Sequence, residues 1–405
     1  MQPSASVDPI TGLSAARFGI YVHFPYCLSK CPYCDFASTV AKQIPEERYA
    51  RAIAAELALR LDRLPQLRGR VVESIFLGGG TPSLWHPRHV ASVLEVLGNA
   101  FQLAPRAEVT LEANPGASDV ARFADFRAVG INRLSIGVQS FQPSTLAALG
   151  RAHDGALAET AFRAAREAGF GNVSMDFIYG VHGQTLAQVE SDARRAVSLG
   201  PDHLSAYALT LEREALAEEV PLARQLSRGE VTLPPDEAVV GMGAAVRRIY
   251  GEAGLARYEI SNYARPGYHS RHNSLYWTGG EYLALGTGAT GFLLDTQVPT
   301  GGERYSNHRS AEKYLATVEA GQLPVVTPER LDGDDLRAER LAMGLRLTAG
   351  VDLALVAQRF PSGKVVPAAE VERLVKLGLA RRDGARLALT ELGADLHSEI
   401  AIRLM

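Results

Sequence analysis

All three cysteines of this 405-residue chain fall within eight positions, as Cys27, Cys31 and Cys34. An odd number of closely spaced thiols does not build a disulfide framework. The spacing C-x3-C-x2-C points instead to metal chemistry, and three is the informative count. A structural zinc site takes four protein ligands, so a zinc loop here needs a distant histidine as the fourth. A 4Fe-4S cluster held by three thiolates leaves one iron without a protein ligand, open to a substrate or cofactor. The thiols belong to the run Tyr21-Val-His-Phe-Pro-Tyr-Cys27-Leu-Ser-Lys-Cys31-Pro-Tyr-Cys34-Asp-Phe36. This run begins as a β-branched and aromatic strand, so the cysteine loop follows the first strand directly.

The rest of the chain supplies a scaffold for such a loop. Strand patterns at 18–24, 72–77, 108–112, 133–137, 172–178 and 203–210 alternate with helical stretches at 46–61, 89–97, 117–129, 157–167 and 185–199. That alternation specifies right-handed crossover units and a parallel sheet. The expected fold is α/β, six units over residues 17–215 curled into a full or partial (β/α)6 TIM-like barrel, after a flexible lead-in at 1–16. Residues 216–326 are expected to cover and link: 234–251 reads as a helix and 257–263 as a strand. The Gly- and aromatic-rich stretch 267–291 lacks periodicity and is expected to be irregular and lid-like. Residues 327–405 alternate helices with a hairpin at 379–389 turning at Asp383-Gly384. They are expected to form a small, mostly helical, winged-helix-like C-terminal domain.

A C-x3-C-x2-C loop after an N-terminal strand resembles that of the radical S-adenosylmethionine superfamily. The resemblance implies a 4Fe-4S cluster whose open iron binds the amino and carboxylate groups of S-adenosylmethionine. It also implies one-electron cleavage of the sulfonium to methionine and a 5'-deoxyadenosyl radical, a step the cofactor carries and the protein positions. The second motif, Gly78-Gly-Gly-Thr-Pro-Ser83, follows the second strand. Consecutive glycines cost about 0.5 to 1 kcal/mol each within regular structure, so they mark a place where backbone comes close to something. A small ligand contacting exposed backbone amides and carbonyls is one reading. A tight turn capped by Ser83 is the other. Glu112, Gln139 and Asp176 lie where a parallel barrel places its chemistry, at the carboxyl ends of strands. Singly each reads as a capping or bracing side chain. Converging, they supply partners for ribose hydroxyls and an adenine edge.

Over nearly its whole length the chain resembles oxygen-independent coproporphyrinogen III oxidase and its close relatives. The resemblance implies cofactor contacts at Tyr21, Tyr33, Gly79, Gly80, Thr81, Glu112, Gln139, Arg151 and Asp176, and a more weakly aligned one at Thr210. Without it, Arg151 reads as an exposed helix-flanking arginine. Two features separate the subfamilies. The oxidases carry a fourth cysteine two residues beyond the third, where this chain has Phe36. The run His272-Asn-Ser-Leu-Tyr276-Trp277, with Tyr258-Glu-Ile-Ser-Asn-Tyr-Ala upstream, is similar to the H-N-x-x-Y-W motif of HemW-type heme chaperones. A histidine is a competent axial ligand to heme iron, the following Tyr and Trp suit porphyrin faces, and Arg265 and Arg271 suit propionates. A hydrogen-bonded loop histidine is the alternative.

The resemblance thus implies a heme chaperone carrying a 4Fe-4S cluster and S-adenosylmethionine, a carrier more than an enzyme. Its partners are heme and heme-accepting proteins, membrane-associated ones among the candidates, with homodimerisation left open. The alternative is radical decarboxylation of coproporphyrinogen III to protoporphyrinogen IX. A net charge of -3 supplies no field for a polyanion, and nucleic acid is not expected as a partner. Residues 1–16 lack a secretory pattern, and no uncharged apolar run reaches about 18 residues, so the expected location is cytoplasmic.

Overall fold

The computed structural model describes residues 18–211, 220–295, 297–298 and 300–405. The expected lead-in at 1–16 lies outside the described residues. Six strands run parallel in chain order: β1 (Phe18–Phe24), β2 (Val71–Gly79), β3 (Gln102–Ala113), β4 (Arg133–Gln139), β5 (Val173–Tyr179) and β6 (His203–Ala208). Their inner parts are apolar without alternation, as strands covered on both faces require. The crossovers carry α1 (Glu46–Arg63), α2 (Pro87–Ala100), α3 (Phe123–Ala128), α4 (Gly155–Glu167) and α5 (Leu186–Ser198), and α6 (Asp236–Glu252) packs on α5. Helix starts follow local chemistry: the Asp154 side chain accepts from Leu157 N–H, and Thr185 with Gln188 forms a capping box. The six βα units expected from the sequence are present as a partial α/β barrel.

The stretch 267–291 is not an irregular lid. It folds into α7 (Arg271–Thr278) and, counting the short strands β7 (Ala256–Arg257) and β8 (Asn262–Ala264) before it, the ninth strand β9 (Glu281–Gly286). Strand β9 joins the sheet parallel to β1, on the edge away from β2. With β10 (Thr290–Leu294), β11 (Gly302–Asn307) and β12 (Val325–Leu331), the twelve-stranded order is β12-β11-β10-β9-β1-β2-β3-β4-β5-β6-β8-β7, open at both ends. Periodicity is missing from α7 because it has no wet face wide enough to read. His272, Ser274, Leu275 and Thr278 are buried, and Tyr276 and Trp277 half-buried.

Helix α7 closes the amino-terminal end of the barrel. The Glu108 carboxylate accepts the N–H groups of Arg271 (3.0 Å) and His272 (3.1 Å), an anion set against the positive end of the helix. Ser270 caps the first turn, and Gly279 ends the helix in the left-handed region at φ 72°. His272 sits between Ser74 Oγ (Nδ1, 2.9 Å) and Tyr276 Oη (Nε2, 2.9 Å), stacked on Phe76. Glycine is needed opposite it: a Cβ on Gly19 would stand 2.7 Å from Ser74 Oγ and 2.9 Å from Leu275.

One buried carboxylate ties the added strands to the barrel. Glu56 on α1 pairs with Arg60 at 2.7 Å, the two side chains being 0% and 4% exposed. Glu56 also accepts from Gly286 N–H, Asn307 Nδ2 and the Tyr314 hydroxyl, each at 2.8 Å. It therefore links β9, β11 and helix α8 (Ala311–Glu319) to α1. Beyond β12, helix α9 (Gly333–Leu345) and a three-stranded antiparallel sheet, β13 (Val351–Asp352), β15 (Arg386–Leu389) and β14 (Ala380–Asp383), enclose a second core of Leu341, Leu345, Val356, Leu374 and Leu387. Its hairpin turns at Asp383-Gly384 as expected. This domain leans on α7: just past α9, the Arg346 guanidinium lies 4.2 Å over the Trp277 ring and reaches Glu259 at 3.0 Å.

Two outcomes follow for stability. Arg60→Ala leaves Glu56 charged and unpaired in the core and is expected to cost about 3 to 5 kcal/mol. His272→Ala strands the hydroxyls of Ser74 and Tyr276 and is expected to cost about 1 to 3 kcal/mol. Denaturant unfolding with an unchanged midpoint in either variant would contradict the corresponding bond network.

Candidate cofactor site

The carboxyl ends of the parallel strands surround a cavity of about 580 Å3. Small-molecule sites span roughly 300 to 1,000 Å3, so this one has room for a nucleoside-sized ligand. Cys27, Cys31 and Cys34 line it, together with Tyr33, Gly79, Gly80, Thr81, Glu112, Gln139, Arg151, Asp176 and Thr210. Tyr21 and His272, also expected as contacts, are not among its walls.

The cysteine loop is rooted by a short parallel pairing of Tyr26–Cys27 with Thr39–Val40 and by a 3.1 Å bond from Cys34 N–H to the Cys31 carbonyl. The glycine run holds this root, and its close approach is to protein. A Cβ on Gly79, whose φ is 112°, would lie 2.5 Å from the His23 ring, and one on Gly80 would lie 2.7 Å from the Pro25 backbone. Glycine is needed here by β2 packing against the loop, and both glycines also face the cavity, where their backbone is open to a ligand. Tyr21 works from beneath. Its hydroxyl bonds His23 Nδ1 at 3.0 Å, and His23 Nε2 reaches the Ala37 carbonyl at 2.9 Å. A carbonyl only accepts, so Nε2 carries the proton and Nδ1 accepts from Tyr21. Burial pushes His23 down to about 4, so the ring is neutral. Tyr21 thus braces the cysteine loop through His23.

A path of hydrogen bonds joins two of the thiols. The Thr81 hydroxyl donates to Cys27 Sγ at 3.5 Å, and Asn114 Nδ2 donates to Thr81 Oγ1 at 3.1 Å. Arg151 donates to Asn114 Oδ1 at 2.6 Å, to the Gly137 carbonyl at 3.0 Å and to Cys31 Sγ at 3.5 Å. Arg151 is therefore drawn into the site and is no free surface arginine. Asn114 escaped sequence reading, yet it stands two residues past Glu112 in the same strand-end run, and a period of two puts both on one side. Burial pushes the Cys27 and Cys34 thiols up, with the Thr81 hydrogen bond opposing at Cys27. Among the described residues no three His, Cys, Asp or Glu side chains converge on a point suited to a single metal ion. A cubane takes each thiolate at a separate iron.

The opposite wall is acidic and partly unsatisfied. Burial pushes Glu112 up to about 7; the Gly79 N–H at 3.0 Å opposes that shift and the nearby Asp176 adds to it. Asp176 is raised by burial as well, against hydrogen bonds from Ser205 and Ser135, the latter at 2.9 Å. Gln139 is the one non-glycine residue with positive φ (64°) among those described, and its buried Oε1 has no partner. Such strain, of about 1 to 3 kcal/mol, gathers where a ligand is clamped. An orphan acceptor beside it is what a ligand's N–H or O–H would complete.

His272 lies at the far end of the barrel, 1% exposed. Both its nitrogens are taken, and burial lowers it to about 3. An axial ligand needs a free nitrogen, which His272 has only when its bond to Ser74 or to Tyr276 opens. Arg265 and Arg271 are likewise engaged, with the carbonyls of Pro201 (3.1 Å) and Arg106 (2.8 Å).

Residues 21–196 match the radical SAM superfamily and residues 331–396 the HemN C-terminal domain. A Mycobacterium tuberculosis protein named heme chaperone HemW is 36% identical over all of this chain and 99% of its own length. The Escherichia coli protein of that name is 38% identical over 67% of this chain and 69% of its own. Among solved structures, coproporphyrinogen III oxidase HemN from Escherichia coli, described as a radical SAM enzyme, superposes with a TM-score of 0.79. The match covers 96% of this chain and 90% of that one at 22% identity, a likeness of fold. Relatives this similar from end to end fix the lineage: the chain belongs to the radical S-adenosylmethionine superfamily and, within it, to the HemW family.

Proposed function

We propose that this chain binds heme and transfers it to acceptor proteins, on a scaffold whose cavity holds a 4Fe-4S cluster and S-adenosylmethionine. The observation that carries the cofactor reading is the convergence, on one cavity, of three thiols, two carboxylates and the unpartnered Gln139 Oε1. When bound, the group supplies an open iron and one-electron chemistry at a sulfonium. Cys27, Cys31 and Cys34 hold it as thiolates, and Thr81 and Arg151 donate to their sulfurs. Glu112 receives the ligand's ammonium, Asp176 its hydroxyls and Gln139 Oε1 a donor of its base.

The heme part rests on the relatives' names and on the motif at His272. Contact with heme at α7 requires the ring to leave Ser74 and Tyr276 first. Phe36, 55% exposed at the cavity mouth, stands where the oxidases carry their fourth cysteine, which favours the carrier over the decarboxylase. No helix among the described residues is long and apolar enough to cross a membrane. We place the transfer in the cytoplasm, toward acceptors that include membrane-associated ones.

Anaerobic reconstitution is expected to give about one cluster's worth of iron and sulfide per chain, with stoichiometric heme uptake and transfer to an apo-acceptor. Catalytic formation of protoporphyrinogen would overturn the carrier reading. Affinity for S-adenosylmethionine is expected to rise with pH through about 7, because Glu112 is neutral below that value and anionic above it. Calorimetric titration should show this step in the wild type and not in Glu112→Gln; a flat wild-type profile would remove Glu112 from ammonium binding.

A further inference from the structure

The donors aimed at Cys27 and Cys31 do not stand alone, and among the described residues one side chain joins them. Asn114 uses its two ends in opposite directions. Its amide N–H occupies Thr81 Oγ1 at 3.1 Å, which leaves the Thr81 proton to point at Cys27 Sγ, 3.5 Å away. Its carbonyl oxygen holds one arm of the Arg151 guanidinium at 2.6 Å, which turns the other arm toward Cys31 Sγ at 3.5 Å. An amide suits this place because it donates on one side and accepts on the other; a carboxylate would take the Thr81 proton away from sulfur. The guanidinium is a planar fork, so fixing one nitrogen fixes the other.

We propose that Asn114 is a positioning residue for the iron–sulfur centre, orienting through Thr81 and Arg151 the two side-chain donors that serve its cysteine sulfurs. The inference rests on the reading that the three cysteines hold such a centre. Donors to cluster sulfurs stabilise the more negative, reduced state, so the arrangement raises the reduction potential and slows loss of the centre. Asn114 makes its own bonds to Thr81 and Arg151 and not to the sulfurs, so its effect on them is carried by those neighbours.

The test is anaerobic potentiometry of the reconstituted full chain, followed by electron paramagnetic resonance, with iron release to a chelator timed on the same samples. Asn114→Leu keeps the volume and removes both bonds; it is expected to shift the midpoint potential to more negative values and to speed iron release. Thr81→Val removes one arm and is expected to give a smaller shift in the same direction. The double variant should shift less than the two added together, because both act on one path. Asn114→Ala serves if the leucine variant does not accumulate. Complete loss of the centre from a variant whose cluster-free form melts as the wild type does would also support the proposal. Wild-type potential and release rate in both Asn114 variants would overturn it, as would variants that fold poorly while holding a centre of unaltered potential. A wild-type chain that takes up no iron–sulfur centre would instead fail the functional reading on which the inference rests.

Discussion

Three thiolates cannot complete the coordination of a four-iron centre, and in the proposed site that shortfall is what the surrounding structure is arranged to serve. The cysteine loop leaves β1 at the carboxyl face and is tied back at its root to Ala37 through His23. Glycines at 79 and 80 let β2 close on that root without a side chain intervening. The charge of three thiolates is met from one side by Thr81 and Arg151, and the opposite wall keeps acceptors open at Glu112, Asp176 and Gln139. A site with donors on the sulfur side and acceptors on the other selects a ligand that is cationic and rich in N–H and O–H groups.

The two ends of the barrel solve different problems. At the carboxyl end, strain and unsatisfied polarity are retained: Gln139 is held at positive φ and its carbonyl oxygen lacks a donor. At the amino end, α7 satisfies nearly everything, with Glu108 on its first N–H groups and His272 bonded on both nitrogens. Among the described residues of α7, the Trp277 indole N–H is the exception, buried without a partner under Arg346. Loss of hydrogen bonds is the cost that any opening of this end must meet, and the contact between α7 and the C-terminal domain adds to it.

Much of this was legible in the sequence because it is local. Strand and helix alternation gave the six βα units, and β-branched runs gave the strand cores, though β3 begins at Gln102, six residues before the expected start. Strand-end polarity pointed to Glu112, Gln139 and Asp176 and the cysteine spacing to the loop, whereas Tyr33, Arg151 and Thr210 came only from the family resemblance. What escaped depends on distant parts of the chain. Strand β9 pairs with β1 across more than two hundred residues, and its seat is made by Glu56, which reads as an ordinary helix-surface glutamate. Helix α7 is buried on too many sides to show a stripe, so the stretch read as an irregular lid where the fold places a helical plug. Asn114 was hidden by its neighbour Glu112, and the bracing role of Tyr21 was hidden because it depends on His23 and Ala37 meeting across the loop.

The central claim is a metal centre with one position left for an exchangeable ligand. It is tested most directly by the electron paramagnetic resonance spectrum of the reduced, anaerobically reconstituted protein with and without S-adenosylmethionine. The account predicts a 4Fe-4S signal whose g values move when the sulfonium compound is added and return when it is removed. A metal coordinated fully by protein, with a spectrum indifferent to S-adenosylmethionine at any concentration, would contradict it.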